Sequence, residues 1–183
     1  MLRRLVAILC LCFVASAKVP RPLANVTIQT PDRRNINLKT YRGKVVMVVL
    51  FLTECDDCIS MVNFASKLES EFGSKGFQAI GAAVDDNAPY LVGPYIQRYR
   101  PTFPVGFLKK EALIKLLDLA PDVRPVAPML MFIDHTGTVR FQYFGKDKAI
   151  FGQNNSTLHM IVENLIKQHD ENKAPQQVTT PVK

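Results

Sequence analysis

The sequence predicts a single α/β domain in which a central mixed β-sheet carries helices on both faces. The chain has 183 residues, which is the size of one ordinary domain. Between residues 25 and 170, apolar runs of strand length alternate with segments of helical periodicity, without an internal repeat or a linker. The strongest strand signal, residues 44–52, is a continuous apolar run rich in β-branched residues, as in a strand covered on both faces.

The remaining elements follow from local patterns. An N-terminal β-hairpin of two edge strands is predicted from the polar–apolar alternation of residues 25–30 and 36–38 around the turn residues Pro31 and Asp32. A helix with apolar residues at helical spacing follows strand 44–52 and ends at Gly73 and Gly76. The later elements are predicted as strand 77–84, helix 88–100 with a break at Gly93-Pro94, strand 103–107, helix 109–119, a hairpin of strands 129–133 and 138–144, and a C-terminal amphipathic helix capped by Asn154, Asn155 or Ser156.

Composition indicates a folded globular protein. Hydrophobic residues make up 48% and charged residues 21% of the chain, which excludes disordered and multispanning membrane classes. The net charge is +7, but the basic residues near the N-terminus are interleaved with no aromatic residue except Tyr41, so stacking on bases is not supported. We therefore expect no nucleic-acid partner.

The first 17 residues resemble a targeting segment. Arg3 and Arg4 precede an uncharged apolar run that ends in the small residues 15–17, a pattern typical of a cleaved signal peptide. We expect export to the periplasm or to the extracellular side of the cell envelope. We further expect a folded domain over residues 18–170 and a polar, disordered tail over residues 171–183.

The feature that carries chemistry is the Cys-Asp-Asp-Cys motif of residues 55–58, placed where the buried strand turns into a helix. A helix N-terminus has free N–H groups and a partial positive charge, which stabilise a thiolate. We therefore predict that Cys55 is the exposed nucleophile and that Cys58, one turn behind, resolves the mixed disulfide. An inert structural bridge is the alternative, although closing so short a loop constrains the unfolded chain little. A zinc site would need a second ligand pair, which the chain beyond the signal lacks, so no metal or cofactor is expected.

Together, these landmarks resemble the TlpA/ResA-like branch of the thioredoxin-like superfamily, the redoxin (AhpC/TSA-related) thiol-disulfide oxidoreductases. The resemblance covers roughly residues 22–168. It is carried by the motif of residues 55–58, by Tyr41-Arg42-Gly43-Lys44 before the central strand, by Val126-Ala127-Pro128 before strand 129–133, and by Gly137.

The resemblance implies a thioredoxin-like fold and an exported enzyme that reduces disulfides of client proteins. It implies a cis peptide at Pro128, which would face the cysteines, and backbone hydrogen bonds from Ala127 to an extended client segment. It also implies client thiols and disulfides as partners, an upstream membrane thiol-disulfide donor and no cofactor.

The sequence departs from this family around the motif. Glu54 stands where relatives carry an aromatic residue, Asp56 and Asp57 replace the usual intervening pair, and Val49 stands where relatives often carry a buried proton acceptor. Three negative charges next to Cys55 disfavour its thiolate, so we expect them to raise the pKa of the Cys55 thiol above that of relatives. The two aspartates also stabilise a helix start, and both roles are compatible.

Other functions remain open from the sequence. A peroxiredoxin-like peroxidase would need Pro and Thr where this chain has Val48 and Leu52. A copper-handling module would use the two thiolates with His135 and with Met129 or Met131, although a turn histidine is usually solvent-exposed and methionines at alternate strand positions usually pack in the core. A non-catalytic binding module is the third alternative.

Overall fold

A computed structural model describes residues 19–147, 150–151 and 155–173 of the chain. The predicted signal peptide and residues 174–183 of the predicted tail lie outside these ranges. The strands and helices in chain order are β1 (Arg21–Pro22), β2 (Thr27–Gln29), β3 (Asn35–Asn37), β4 (Val45–Phe51), α1 (Asp56–Phe72), β5 (Phe77–Ala83), α2 (Ala88–Tyr99), β6 (Val105–Phe107), α3 (Lys110–Leu117), β7 (Met129–Ile133), β8 (Thr138–Tyr143) and α4 (Ser156–Lys173).

The strands form one mixed sheet in the order β1-β8-β7-β4-β5-β6-β2-β3. β4 pairs in parallel with β5 and antiparallel with β7, and β5 pairs in parallel with β6. The central position predicted for β4 is confirmed, because every residue of this strand is buried. Apolar side chains on both sides of a strand are stable only when both faces of the sheet are covered.

Side chains of β4 alternate between two apolar clusters, one on each face of the sheet. Met47, Val49 and Phe51 belong to the cluster that packs under α1, α2 and α4. Val48 and Leu50 belong to the other cluster, which packs against α3 and the N-terminal hairpin. Helices on both faces are therefore confirmed, with α3 alone among the described α-helices supplying buried residues to the second face.

The predicted N-terminal hairpin is confirmed, but its placement in the sheet differs from the prediction. β2 and β3 pair antiparallel, with Ile28 opposite Ile36. β2 also pairs with β6 through Gln29 and Phe107, so of the two hairpin strands only β3 lies at an edge of the sheet. A Cβ at Gly106 would lie 2.3 Å from the Gln29 carbonyl oxygen, so this close approach requires glycine. The hairpin pattern is local, whereas its docking on β6 depends on a glycine far along the chain.

The predicted break at Gly93-Pro94 is wrong, because α2 runs without interruption from Ala88 to Tyr99. Proline removes one helical N–H, which would have bonded to the carbonyl of Tyr90, four residues earlier. Tyr90 lies in the first turn and is 82% exposed, so water can solvate that carbonyl. The helix ends at Tyr99, and the next residue, Arg100, has a left-handed conformation with φ 46°.

The C-terminal helix α4 begins at Ser156, one of the three predicted capping residues, and the carbonyl of Asn155 accepts the His159 N–H at 3.1 Å. Asn154 lies outside the described residues. The helix continues to Lys173, so the domain boundary predicted at residue 170 falls inside it. Across the described ranges, no helix is both long and apolar enough to cross a bilayer.

Asp134 organises the turn between β7 and β8. Its Oδ1 accepts hydrogen bonds from the Thr136 N–H at 2.9 Å, the Thr136 hydroxyl at 2.6 Å and the Thr138 N–H at 3.0 Å. Burial acts to raise the pKa of Asp134, but these hydrogen bonds outweigh it and hold the pKa below its ordinary value. The carboxylate therefore stabilises the folded state at neutral pH, and this contribution is lost as pH falls through the depressed pKa.

We predict that Asp134→Ala lowers the free energy of unfolding by about 1–3 kcal/mol at neutral pH, because it removes the charged acceptor of three hydrogen bonds. The loss should shrink below about pH 4, where the unfolded carboxyl is protonated. Urea denaturation at neutral and acidic pH measures both effects, with Asp122→Ala in an exposed loop as the control. An equal loss at both pH values would show that the charge of Asp134 contributes nothing.

Candidate active site

Cys55 lies in the short segment between the end of β4 and the start of α1. It caps the N-terminus of α1 and accepts the Cys58 N–H on its sulfur at 3.2 Å. Cys55 is half-buried, whereas Cys58 is fully buried in the apolar cluster under α1. The structure joins the two sulfurs in a disulfide. An external sulfur can therefore approach Cys55 more readily than Cys58, as the predicted roles require.

The turn that leads to Cys55 is held by Asp85. The Thr53 N–H donates to both carboxylate oxygens of Asp85 at 3.2 Å, and the Thr53 hydroxyl donates to one of them at 3.1 Å. Asp85 follows β5, which runs parallel to β4, so both residues leave the sheet at the same edge. Asp85 is not among the predicted site residues, so this positioning contact was missed from the sequence.

The Ala127–Pro128 peptide is cis, as the family resemblance implied. Leu50 of β4 lies opposite Met129 of β7, which places Pro128 beside the end of β4 that leads to Cys55. Ala127 packs against the same apolar cluster as Cys55. The structure thus brings the predicted client-binding pair and the cysteines to one end of the sheet.

Gly145, which the sequence analysis did not single out, holds this segment from the other side. Its N–H donates to the Val126 carbonyl at 2.9 Å. A Cβ at this position would lie 2.4 Å from the Ala127 carbonyl oxygen. Any larger residue would therefore displace the backbone next to Pro128. A glycine just after a predicted strand was the available signal, since such glycines often mark a close backbone approach.

The three acidic residues around Cys55 are all exposed. Asp56 and Asp57 occupy the first turn of α1, where negative charge is favourable to the helix dipole. Within the described chain, neither they nor Glu54 take part in an ion pair. Val49 is fully buried in the cluster that contains Cys58, so this position supplies no proton acceptor.

A cavity of about 390 Å³ opens beside Cys55 between the start of α1 and α2. Its lining residues are Thr53, Glu54, Asp56, Ile59, Leu91, Pro94, Tyr95, Arg98 and Tyr99. Glu54 and Asp56 flank Cys55 in the sequence, so the cavity adjoins the reactive cysteine. It could not be predicted from the sequence, because its lining residues come from two distant segments of the chain.

The copper-binding alternative is not supported by the sheet register. Met129 lies opposite Leu50 at the cysteine end of β4, and Ile133 lies opposite Val46 at the other end. His135 follows Ile133 and is therefore separated from the cysteine end by more than about 13 Å of strand. Its ring instead contacts that of His169 at 4.4 Å. Met129 and Met131 are buried in the core, as core-packing methionines are expected to be.

Residues 16–159 match the Redoxin family model. This chain belongs to the Redoxin family. Its redoxin domain is similar to the thiol-disulfide oxidoreductase ResA of Oceanobacillus iheyensis, with 27% identity over 108 residues that cover 59% of this chain and 53% of that protein. ResA of Bacillus thuringiensis subsp. konkukian is 24% identical over 122 residues, 67% of each chain. The match thus spans about half the length of the Oceanobacillus relative.

Solved structures confirm the thioredoxin-like fold of this redoxin. A thioredoxin family thiol:disulfide interchange protein from Chlorobium tepidum superposes with a TM-score of 0.66 at 21% identity, covering 81% of this chain and 98% of the other. A thiol:disulfide interchange protein from Bacteroides sp. gives a TM-score of 0.65 at 17% identity, with coverage of 90% and 97%. The sequence resemblance to the TlpA/ResA-like branch is therefore confirmed at the level of family and fold.

We predict that Gly145→Ala slows disulfide exchange with a peptide substrate by about tenfold, because the new Cβ pushes on the Ala127 carbonyl that borders the site. Exchange with dithiothreitol, which does not need an extended docking strand, should change much less. Gly93→Ala is the matched control, since its Cβ would meet only Pro31 at 3.9 Å. Equal slowing of both substrates would contradict the proposed docking segment.

We predict that Asp56→Asn combined with Asp57→Asn lowers the pKa of the Cys55 thiol in the reduced protein, because two like charges next to the thiolate are removed. Ultraviolet absorbance of the thiolate as a function of pH measures this shift. Glu111→Gln, an exposed change on α3 at the opposite face of the sheet, serves as the control. A titration curve identical to that of the parent would remove the electrostatic role.

Proposed function

We propose that this redoxin is an exported thiol-disulfide oxidoreductase that reduces disulfides of client proteins through Cys55 and Cys58. The observation that carries the proposal is a half-buried cysteine at a helix N-terminus, one turn from a fully buried partner and at the same sheet end as a cis-proline. Membership of the Redoxin family and similarity to proteins named thiol-disulfide oxidoreductase support it.

The proposed reaction has two exchange steps. In the reduced protein, the Cys55 thiolate attacks a sulfur of the client disulfide, forms a mixed disulfide and releases one client thiolate. The Cys58 thiol then loses its proton and attacks the Cys55 sulfur, which releases the second client thiolate and forms the Cys55–Cys58 bridge seen in the structure. Two electrons pass to the client, and the bridge must then be reduced by a thiol donor, for which we propose an upstream membrane protein.

Two features of the site favour the first step. The Cys58 N–H that bonds the Cys55 sulfur at 3.2 Å, together with the α1 dipole, stabilises negative charge on that sulfur. The backbone of Ala127 would add an extended client segment beside the bridge by β-augmentation. Exposed apolar side chains of Leu52 (40%) and Val126 (38%) flank this position and offer contact area to the client.

The acidic surroundings of Cys55 support the direction of electron flow. Negative charge from Glu54, Asp56 and Asp57 disfavours the thiolate relative to the disulfide, which makes the dithiol a stronger reductant. Export of the domain over residues 18–170 rests on the basic and apolar pattern of residues 1–17. Oxidising compartments are also where thiol-disulfide exchange on client proteins is needed.

We predict that Cys58→Ser accumulates a covalent mixed disulfide with a disulfide-containing client, whereas Cys55→Ser forms none. Non-reducing electrophoresis of the purified variants after incubation with an oxidised model protein shows the complex. Equal trapping by both variants, or by neither, would contradict the proposed roles.

The reduction potential of the pair separates catalysis from a structural bridge. We expect a value between about −180 and −270 mV in equilibrium with glutathione and dithiothreitol buffers, as in other exchange-active dithiols. A value below about −300 mV would indicate a structural disulfide and would favour a non-catalytic binding module.

A further inference from the structure

The cavity between α1 and α2, here called the α1–α2 cleft, carries charges of both signs next to Cys55. Glu54 and Asp56 supply carboxylates on the α1 side, and Arg98 supplies a guanidinium on the α2 side. In the described part of the chain, none of the three takes part in an ion pair. Opposite charges that share a cleft without pairing to one another remain available to a ligand that has both an anionic and a cationic group.

Tyr95 places a second, independent polar feature in the wall of the cleft. It is 4% exposed, lines the cleft, and packs between Phe51 and Tyr99 with ring centroids 4.7 Å from each. Its hydroxyl is buried and has no hydrogen-bond partner in the described structure. Burial raises the pKa of Tyr95, so the hydroxyl stays a neutral donor. Buried polar groups are normally satisfied, so the wall of the cleft holds a hydrogen-bond donor that no described residue uses.

The shape of the cleft limits the size of the occupant. Its volume of about 390 Å³ lies at the small end of ligand sites. The Arg98 guanidinium lies 5.2 Å from the centre of the Tyr99 ring, which orients the cation along the α2 wall. A ligand with only cationic groups would leave Arg98 unpaired. A ligand with only anionic groups would be repelled by the carboxylates of Glu54 and Asp56.

We propose that the α1–α2 cleft binds the α-amino-acid group of a small thiol, of the cysteine or glutathione class, and so presents its sulfur to Cys55. The ligand ammonium pairs with Glu54 and Asp56, and the ligand carboxylate pairs with Arg98. This proposal rests on the proposed exchange function of Cys55 and Cys58. It gives the bridge that each client turnover leaves behind a second reductant, beside the membrane donor proposed above.

The electron balance of this step requires two molecules of the thiol. The first thiolate attacks the Cys55 sulfur, forms a mixed disulfide and releases the Cys58 thiolate, which takes up a proton. The second thiolate attacks the sulfur of the bound small molecule, which releases the Cys55 thiolate and a small-molecule disulfide. The protein gains two electrons, and the two thiols are oxidised to one disulfide.

The experiment follows reduction of the bridge in the purified full chain by four thiols: cysteine, cysteamine, mercaptopropionate and mercaptoethanol. These carry both charges, an ammonium, a carboxylate and neither charge, respectively. Rate constants are normalised to thiolate concentration and corrected for thiol pKa, which removes intrinsic nucleophilicity. We expect cysteine to react about tenfold faster than mercaptoethanol, with the two singly charged thiols between them.

Substitutions of cleft residues test whether the cleft causes the rate differences between the four thiols. Arg98→Gln should reduce the advantage of cysteine and mercaptopropionate over mercaptoethanol and leave that of cysteamine, and Arg98→Lys should restore part of the loss. Glu54→Gln with Asp56→Asn should reduce the advantage of cysteine and cysteamine. Any shift in the Cys55 pKa changes all four rates together and cancels in these ratios. Lys115→Gln and Glu111→Gln, exposed on α3 at the opposite face, are the controls.

The two proposals fail in different ways. Equal normalised rates for all four thiols, or ratios unaffected by the cleft variants, would overturn binding in the α1–α2 cleft while the oxidoreductase function stands. A bridge that neither these thiols nor dithiothreitol reduces would overturn both proposals.

Discussion

The structure depends on the complete burial of β4, whose residues face an apolar cluster on each side of the sheet. Because this strand cannot shift without exposing one face, the point at which it ends is fixed. The chain continues there into a short turn, and Cys55 caps the N-terminus of α1. The core thus sets the position of the Cys55 sulfur, and the hydrogen bonds from Thr53 to Asp85 hold the intervening turn in place.

Elements with a strong local pattern could be predicted from the sequence, whereas their tertiary setting could not. Such local patterns are the apolar run of β4, the helical spacing of α1 and the alternation of the N-terminal hairpin. Each lies within one short segment of the sequence. The pairing of β2 with β6 instead depends on the absence of a side chain at Gly106. The continuity of α2 through Pro94 depends on which carbonyl loses its donor and whether water reaches it, and no local propensity reports this.

The same distinction applies to the site. The Cys55–Cys58 motif is contiguous, and the family resemblance pointed to Ala127 and Pro128, which the register of β4 and β7 then places nearby. Thr53 and Asp85 are 32 positions apart in sequence, and they meet because parallel strands end at a common edge. Gly145 and the α1–α2 cleft likewise combine distant segments. A single sequence gives no direct record of such contacts.

In the proposed exchange reaction, the full burial of Cys58 affects how long a client stays attached. Cys58 is fixed one turn behind Cys55, and its N–H already contacts the Cys55 sulfur. The same helix therefore holds both the sulfur that would form a mixed disulfide and the sulfur that would resolve it. Attack from a tethered neighbour corresponds to a very high effective concentration, and solvent oxidants have little access to a buried thiol. In this mechanism, the lifetime of the covalent complex would be set inside the protein, independently of the surrounding thiol pool.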